Sequence, residues 1–400
     1  MKKVYIIAAK RTAIGKFLGT TSGVSAVELA SAVIKDIFKQ TQIDPALIDE
    51  VIVGGVLVAG QGQGVARQAA IAGGVPVEVP ACGVQMVCGS GMKTILNGLN
   101  SIRAGEAELI LAGGTESMSE AVYLLPAAVR NGVKMNDFKI IDHMVYDGLT
   151  DAFSNQHMGI TAENIAERYG ISREEQDEFA FKSQQKAITA IDGGKFKDEI
   201  VPLTIQTKKE TIIFDTDEFP NRATNLEKLA KLRPAFKKDG TVTAGNASGI
   251  NDGASFVLLA SEDMVKKLNI KPMAEIISVG QGGVEPDVMG LGPVPAITQA
   301  LKKAEMKLSD VEVFELNEAF AAQALGVMRE LAKNHNVTSQ WLDERTNING
   351  GAIALGHPIG ASGNRIVVSL IYEMLHTDKH TGLASLCIGG GMGTAIILKK

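Results

Sequence analysis

The sequence has 400 residues, of which 43 are glycine and 3 are cysteine. Glycine follows no collagen-type repeat, and three cysteines cannot cross-link a chain of this length, so collagen-like and disulfide-rich proteins are excluded. A charged fraction of 21% and a net charge of -5 are typical of a globular protein large enough for two or three domains, and no long basic stretch favours nucleic-acid binding.

The N-terminal apolar segment, at residues 4–9, is short. Lys10 and Arg11 follow it at once, which is too early for a secretory signal. No apolar run approaches the roughly 18 residues that cross a bilayer. We therefore expect a cytoplasmic protein with no membrane partner.

Apolar strands alternate with helices in the first part of the chain. Strands are predicted over residues 4–8, 50–55 and 108–114. One helix follows a capping box at residues 25–28, and a second apolar stripe at helical spacing covers residues 92–102. This alternation predicts an α/β fold with a mostly parallel sheet covered on both faces.

The pattern changes between residues 119 and 248, where charges are more frequent and the strand-like runs are shorter. A second capping box, at residues 172–175, begins a helix there. The α/β pattern returns at residues 254–260 and continues to the C-terminus. We predict three parts: an N-terminal half (residues 1–118 plus 249–270), an inserted loop domain (119–248) and a C-terminal half (271–400).

A weak internal repeat relates the two flanking parts. Three pairs of segments are similar: 49–53 with 310–314, 89–91 with 361–363, and 110–114 with 387–391. The second pair precedes predicted helices, the later of which covers residues 366–375. Two similar α/β halves explain the pairs, and chance likeness among glycine-rich turns is the alternative.

Cys88 directly precedes the helix predicted to begin near Met92. The positive end of a helix dipole and its free N–H groups favour a thiolate, which makes Cys88 a candidate nucleophile. Gly89 and Gly91 let a substrate carbonyl approach the backbone. A buried cysteine that acts as a small apolar side chain is the alternative.

Cys387 and His357 are the other candidates. Cys387 ends a predicted strand, where α/β sheets bind their ligands, and His357 lies in a glycine-rich loop ahead of Pro358, as a general base for Cys88 would. A structural thiol and a hydrogen-bonded core histidine are the alternatives, and Cys82 is interpreted as structural. The remaining histidines form no metal-binding pattern, and no dinucleotide fingerprint lies between a strand and a helix, which disfavours a zinc enzyme and an NAD oxidoreductase.

Nine short strings together resemble the thiolase family along nearly the whole chain, most closely its biosynthetic acetyl-CoA acetyltransferases. They are Arg11-Thr12 with Gly15, Phe17 and Gly19; Cys88–Gly91; Gly113–Met118; His157–Gly159 with Thr161–Asn164; Lys231–Phe236; Gly245–Gly249; Asn317–Phe320; Gly356–Pro358; and Cys387–Gly391. The resemblance implies the thiolase fold, in which two similar α/β halves form a five-layered α-β-α-β-α core with an inserted loop domain. It also implies the reversible Claisen condensation of two acetyl-CoA to acetoacetyl-CoA and CoA.

The resemblance assigns catalytic roles by position. Cys88 would accept the acetyl group as a thioester, with His357 to activate it. Cys387 would deprotonate the second acetyl-CoA. One oxyanion site would consist of His357 with a water held by Asn317, and the other of the N–H groups of Cys88 and Gly389.

The resemblance also implies the substrate site. His157 and Met158 would line a short acyl pocket that favours acetyl and acetoacetyl groups. The other implied contacts with CoA are Leu149, Arg222, Phe236, Ala244, Ser248, Met289, Ala319 and Phe320. No metal or other cofactor is expected, because CoA thioesters are the substrates, and the expected assembly is a homotetramer.

Gln85, Ala13 and Asn221 depart from the family pattern, and the segment 333–345 is longer than in typical members. Two alternatives within this fold are a 3-ketoacyl-CoA thiolase for longer chains and a lipid carrier that lacks the reactive thiol pair. If both thiols face one substrate carbon, oxidation could join Cys88 and Cys387 in a disulfide.

Overall fold

The structure is a computed structural model that describes residues 2–135 and 137–400. The first elements in chain order are β1 (Val4–Thr12), β2 (Gly15–Lys16), α1 (Ala26–Thr41), β3 (Glu50–Gly54), α2 (Val65–Ala72), β4 (Ala81–Val84), α3 (Ser90–Ala104) and β5 (Leu109–Ser117). The capping box predicted at the start of α1 is confirmed. The Ser25 side chain accepts the N–H of Glu28, and the Glu28 carboxylate accepts the N–H of Ser25.

The middle of the chain carries short strands and two long helices. Its elements are β6 (Tyr123–Leu124), β7 (Ile141–Asp142), a π-helical turn (Met144–Gly148), α4 (Met158–Tyr169), α5 (Arg173–Asp192), β8 (Ile200–Val201), β9 (Leu203–Gln206), β10 (Thr211–Phe214) and α6 (Leu226–Ala230). The second predicted capping box is present at the start of α5. Buried Arg11 of β1 joins this segment to the main sheet through ion pairs with Glu199 (2.6 Å) and Asp217 (2.7 Å). Loss of one partner of such a buried pair is strongly destabilising.

The last part returns to long strands and helices. Its elements are β11 (Asn251–Ser261), α7 (Glu262–Leu268), β12 (Ala274–Gly283), α8 (Pro293–Ala304), β13 (Val313–Leu316), α9 (Ala321–His335), α10 (Ser339–Asp343), α11 (Ala352–Leu355), α12 (Ile359–His376), β14 (Thr381–Ile388) and β15 (Met392–Lys399). Short 3-10 helices are present at Pro45–Leu47, Ala127–Asn131, Pro286–Leu291 and Leu308–Asp310. The segment 333–345 forms the end of α9 and α10, where Trp341 packs edge-on against Phe314 of β13. It therefore covers one side of the C-terminal core.

The main sheet shows the internal repeat directly. Its strand order is β13-β14-β15-β12-β1-β11-β5-β3-β4. Reading outward from the β12/β1 junction, each half has two antiparallel pairings followed by a parallel one. The prediction of a mostly parallel sheet is wrong, because tight connections such as the glycine turn between β14 and β15 can join only antiparallel strands.

Helices α3 and α12 form the central layer of the molecule. They pack against each other, with α3 on β3, β5 and β11 and α12 on strands of both halves. Helix α1 covers the outer face of the N-terminal strands, and α8 covers the outer face of β12 and β15. The strands of the N-terminal half and those of the C-terminal half lie between these helices. The five layers are therefore α1, the N-terminal strands, α3 with α12, the C-terminal strands and α8, which is the α-β-α-β-α arrangement that the resemblance implies.

Helix α12 begins earlier than predicted. It starts at Ile359, directly after Pro358, whereas the apolar stripe predicts a helix over residues 366–375. Residues 361–363 therefore lie inside the helix and not ahead of it. Small residues of low helix propensity fill this first part, so its helical structure depends on tertiary packing rather than on the local sequence.

Glycine permits the close approach of α3 and α12. A Cβ atom on Gly91 would lie 2.9 Å from the backbone nitrogen of Asn364, and one on Gly363 would lie 2.6 Å from that of Met92. Real Cβ atoms do not come so near to backbone, so any larger residue would push the two helices apart. The helix starts, and the residues that precede them, are thus held together.

Candidate active site

A cavity of about 480 Å³ is the place where the predicted site residues meet. Eleven of the fifteen line it: Cys88, Leu149, His157, Met158, Phe236, Ala244, Ser248, Met289, Ala319, Phe320 and His357. Sequence reasoning did not name several further lining residues, which are Lys16, Met118, Gly148, Phe219, Ile250 and Ile359. Of the other four, Cys387 and Gly389 lie next to Cys88, Asn317 is two residues before the lining residue Ala319 in the chain, and Arg222 lines a different cavity.

Cys88 is presented by a strained turn. Val87, just before it, has a φ of 44°, which is an outlier for a β-branched residue. Ser90 stabilises the turn, because its hydroxyl oxygen accepts the N–H of Met86 (2.9 Å) and its O–H donates to the carbonyl of Val87 (2.7 Å). Helix α3 begins at that serine, so Cys88 lies two residues ahead of its first turn.

The thiol of Cys88 is neutral at rest. Burial raises its pKa to about 11, although the N–H groups of Gly389 and of Cys88 itself act in the opposite direction. These N–H groups favour the thiolate, as expected at the start of α3, but the cost of removing the charge from water is larger, so the pKa of the thiol is raised overall. A base has to accept the thiol proton before Cys88 can attack a substrate.

His357 has the properties of that base. Its ring nitrogen Nδ1 lies 2.6 Å from the hydroxyl of Ser362, and its backbone N–H donates to the side chain of Asn251 (2.9 Å). The other ring nitrogen, Nε2, is buried and has no hydrogen-bond partner among the described residues. Burial, assisted by the charge of Arg365, lowers the pKa of the ring to about 3, so His357 is neutral and can accept a proton at Nε2.

Cys387 is a second thiol close to the first. It is the penultimate residue of β14 and is fully buried, opposite Gly393 of β15. Burial, with a further contribution from Cys88, holds the pKa of the Cys387 thiol far above its ordinary value. Gly389 follows two residues later, and its N–H group points to the Cys88 sulfur.

Asn317 has an unusual environment for a buried amide. It follows β13, and its N–H continues the pairing of β13 with β14 by donating to the carbonyl of Ser385 (3.0 Å). Both polar atoms of its side chain are buried, and neither has a partner in the part of the chain that the structure describes. Buried polar groups are nearly always paired, so this amide fits the water that the family resemblance implies.

An aromatic stack forms one wall of the cavity. Phe236 stacks on His157 with ring centroids 4.6 Å apart and meets Phe320 edge-on at 6.1 Å. The His157 ring also caps α4, because its Nδ1 atom accepts the N–H of Gly159 (3.0 Å). The loop of residues 244–249 adjoins the stack, because Ala247 pairs with Phe320 and the N–H of Ser248 donates to the carbonyl of Ala319 (2.9 Å).

Arg222 lies outside this cavity. It lines an adjoining cavity of about 670 Å³, which shares Lys16, Phe219 and Ala244 with the first. Its guanidinium makes a bidentate ion pair with Asp192, at 2.6 and 3.0 Å. Its role in CoA binding stays a prediction.

Cys82 is not the buried structural thiol that was expected. It is exposed on β4, which is the last strand at one edge of the main sheet. All three cysteines are free thiols, and the disulfide between Cys88 and Cys387 stays a prediction. Within residues 2–135 and 137–400, no group of side chains could hold a metal ion, and no helix is long and apolar enough to cross a membrane.

Family models match almost the whole chain. The model of the thiolase N-terminal domain matches residues 4–263, and the model of the thiolase C-terminal domain matches residues 270–400. The chain belongs to the thiolase family. The resemblance seen in the nine sequence strings is thereby confirmed.

Known thiolases of similar length resemble the protein in sequence and structure. An acetyl-CoA acetyltransferase of Pseudomonas aeruginosa is 54% identical over 401 residues, with 100% of each chain covered. The crystal structure of the Bacillus anthracis acetyl-CoA acetyltransferase superposes with a TM-score of 0.95, at 42% identity and with 100% and 99% of the two chains covered. Human mitochondrial 3-ketoacyl-CoA thiolase gives 0.94, also at 42% identity and with the same coverage. These likenesses confirm the fold class.

Proposed function

We propose that this thiolase is an acetyl-CoA C-acetyltransferase, which converts two acetyl-CoA to acetoacetyl-CoA and CoA by a reversible Claisen condensation. The observation that carries the proposal is the cavity lined by Cys88 and His357 with the thiol of Cys387 as a neighbour. A nucleophile, a neutral base and a second thiol acid are the groups that this chemistry needs. The names of the relatives at 54% and 42% identity support the same reaction.

In the first half-reaction, Cys88 attacks the carbonyl carbon of acetyl-CoA. Nε2 of His357 takes the thiol proton as the carbon–sulfur bond forms, and the N–H groups of Cys88 and Gly389 stabilise the charge on the carbonyl oxygen. CoA leaves with its bonding electrons and takes a proton from the thiol of Cys387. The products are acetyl-Cys88, CoA, a Cys387 thiolate and a protonated His357.

In the second half-reaction, the Cys387 thiolate removes a proton from the methyl group of a second acetyl-CoA. The enolate oxygen accepts hydrogen bonds from protonated His357 and from the water on Asn317. The enolate carbon attacks acetyl-Cys88, acetoacetyl-CoA forms, and the released Cys88 thiolate recovers its proton from His357. All three groups return to their neutral starting forms, which are the forms that the raised thiol pKa values and the lowered histidine pKa favour before substrate binds.

The acyl pocket favours short substrates in this proposal. Met158 is buried, and its sulfur lies 3.6 Å from the position that a Cβ on Gly389 would take, so it fills space beside the acyl group on Cys88. The test compares kcat/KM for thiolysis of acetoacetyl-CoA with that for 3-ketoacyl-CoA of eight or more carbons. We expect activity mainly on acetoacetyl-CoA, and activity on the long substrates with none on acetoacetyl-CoA would contradict the assignment.

We also propose that the enzyme is a cytoplasmic homotetramer. Several large apolar side chains between residues 123 and 146 are at least 46% exposed: Tyr123, Leu125, Val133, Met135, Phe138, Ile140 and Tyr146. Apolar surface of this kind is typical of an interface between proteins, and free thiols suit a reducing compartment. Sedimentation velocity tests the assembly, and a monomer at micromolar concentration would contradict it.

A further inference from the structure

Glu116 is a buried carboxylate that the catalytic steps above do not use. It is the penultimate residue of β5, and its side chain is 1% exposed. Its two oxygens accept three backbone N–H groups, from Val56 (3.1 Å), Leu57 (3.0 Å) and Gly360 (2.8 Å). The first two belong to the loop after β3, and the third belongs to the first turn of α12.

The bond to Gly360 connects Glu116 to the catalytic histidine. Gly360 is three residues after His357, and the N–H groups of a first helical turn have no partner within the helix. A carboxylate there satisfies one of them and interacts favourably with the helix dipole. A Cβ on Gly360 would lie 2.6 Å from a Glu116 oxygen, so only glycine allows this contact. The carboxylate thus joins the N-terminal half to the start of α12.

Glu116 also lies near Cys88, because the Cys88 side chain packs against the cluster that contains Val56 and Leu57, whose N–H groups Glu116 accepts. Its negative charge raises the pKa of the Cys88 thiol, in addition to the larger contribution of burial. Burial, with a smaller contribution from Asp252 of the neighbouring strand β11, raises the pKa of Glu116 itself to about 7, although the three N–H groups act in the opposite direction. The Glu116 carboxylate therefore lies near Cys88, which precedes α3, and near the start of α12, which follows His357.

We propose that Glu116 is a positioning residue of the thiolase reaction, whose carboxylate holds the start of α12, and with it His357, in place against Cys88. This inference rests on the proposed function. The proposed role requires two properties of the Glu116 side chain that can be tested separately. Its length has to reach Gly360, and its charge has to lie near the Cys88 sulfur.

Two variants separate these properties. Glu116→Asp keeps the charge but is one methylene too short to serve all three N–H groups. Glu116→Gln keeps the length but loses the charge, and its NH₂ group faces N–H donors. Glu163→Gln is the matched control, because Glu163 is also a buried carboxylate that accepts backbone N–H groups, in its case from Thr241 and Val242.

The first readout is steady-state turnover of acetoacetyl-CoA by folded protein. Since hydrogen bonds to a buried charged group are involved, both Glu116 variants should lose roughly tenfold or more in kcat. KM should stay within about twofold, because Glu116 does not line the substrate cavity. Wild-type kcat in both variants would overturn the proposal.

The second readout is the rate at which iodoacetamide alkylates Cys88, followed by peptide mass spectrometry as a function of pH. This rate requires no turnover, so it remains informative even if the proposed function fails, which would appear as an inactive wild type. The alkylation curve of Glu116→Gln should move to lower pH, whereas those of Glu116→Asp and Glu163→Gln should stay at the wild-type position. An unmoved curve in Glu116→Gln, with a kcat loss that Glu163→Gln reproduces, would reduce Glu116 to a stabilising residue and overturn the proposal.

Discussion

The Nδ1 atom of His357, two residues ahead of α12, lies 2.6 Å from the hydroxyl oxygen of Ser362 in the first turn of that helix. The same hydroxyl is 2.9 Å from the carbonyl oxygen of Pro358, to which its O–H donates. With its own proton engaged there, the serine oxygen accepts a hydrogen bond from Nδ1–H, so the ring proton is on Nδ1 and Nε2 is unprotonated. The first turn of α12, which follows His357, therefore also selects the tautomer that can act as a base.

Replacement of Ser362 by alanine should weaken the base without removing it. The buried Nδ1–H would lose its acceptor, which costs about 1–3 kcal/mol, and the ring would lose its orientation. We expect kcat for acetoacetyl-CoA thiolysis to fall roughly tenfold or more. Ser369→Ala is the control, because Ser369 lies on the same helix and donates to Glu199 instead. An equal loss in both variants would contradict the orienting role.

Replacement of Asn317 by alanine should separate the two half-reactions. Its amide is proposed to hold the water that stabilises the enolate, and loss of one oxyanion donor costs roughly 100-fold or more in rate. Condensation should therefore slow by this factor, while acetylation of Cys88 by acetyl-CoA continues at a near-normal rate. Rapid-quench mass spectrometry measures the two steps separately. A parallel loss of both would contradict a role confined to the enolate.

Replacement of Met158 by alanine should enlarge the acyl pocket. The kcat/KM ratio for 3-ketohexanoyl-CoA over acetoacetyl-CoA should rise by roughly tenfold, which is the scale that one or two methylene groups provide in an apolar pocket. Met289→Ala is the comparison, since Met289 is also buried and lines the same cavity. A ratio that does not change in Met158→Ala would place the limit on chain length elsewhere.

The pH dependence of stability should reflect Glu315 of β13. Burial raises the pKa of its carboxyl group to about 8, although Arg365 lies 3.5 Å away. The unfolded chain loses this proton near pH 4.3, so the folded state binds it more tightly, and the group destabilises the fold increasingly as pH rises from about 4.3 to about 8.

Glu315→Gln removes this ionisation. Its Tm relative to the wild type should therefore be higher at pH 8 than at pH 5. Thermal denaturation followed by circular dichroism at both pH values checks the prediction. Parallel Tm curves for the two proteins would contradict it.

Local patterns in the sequence were sufficient for much of the fold. The capping box at Ser25 marks a helix that begins one residue later, and β3 begins at the predicted Glu50. Both depend on short-range chemistry, a side-chain cap and a buried β-branched run. The start of α12 at Ile359 could not be predicted, because its glycines become helical only through their contacts with α3 and β5.

In the candidate site too, some features follow from local sequence patterns and others depend on contacts made only after folding. Cys88 and His357 carry recognisable neighbours in the sequence, so they could be named in advance. The direction in which the pKa of Cys88 shifts could not be predicted, because it depends on burial by residues distant in the chain. Ser362 and Glu116 also escaped detection, since each acts through a contact that exists only after folding. The five-residue spacing between His357 and Ser362 was the one available signal, and it requires knowledge of where the helix begins.

The central claim is that Cys88 carries the acetyl group. The most direct measurement is intact mass spectrometry of the protein after it is mixed with acetyl-CoA, followed by peptide mapping. We predict a single added acetyl group on Cys88, absent from Cys88→Ser and removed when CoA is added. An unmodified protein, or an acetyl group on Cys387 or Cys82 alone, would contradict the account.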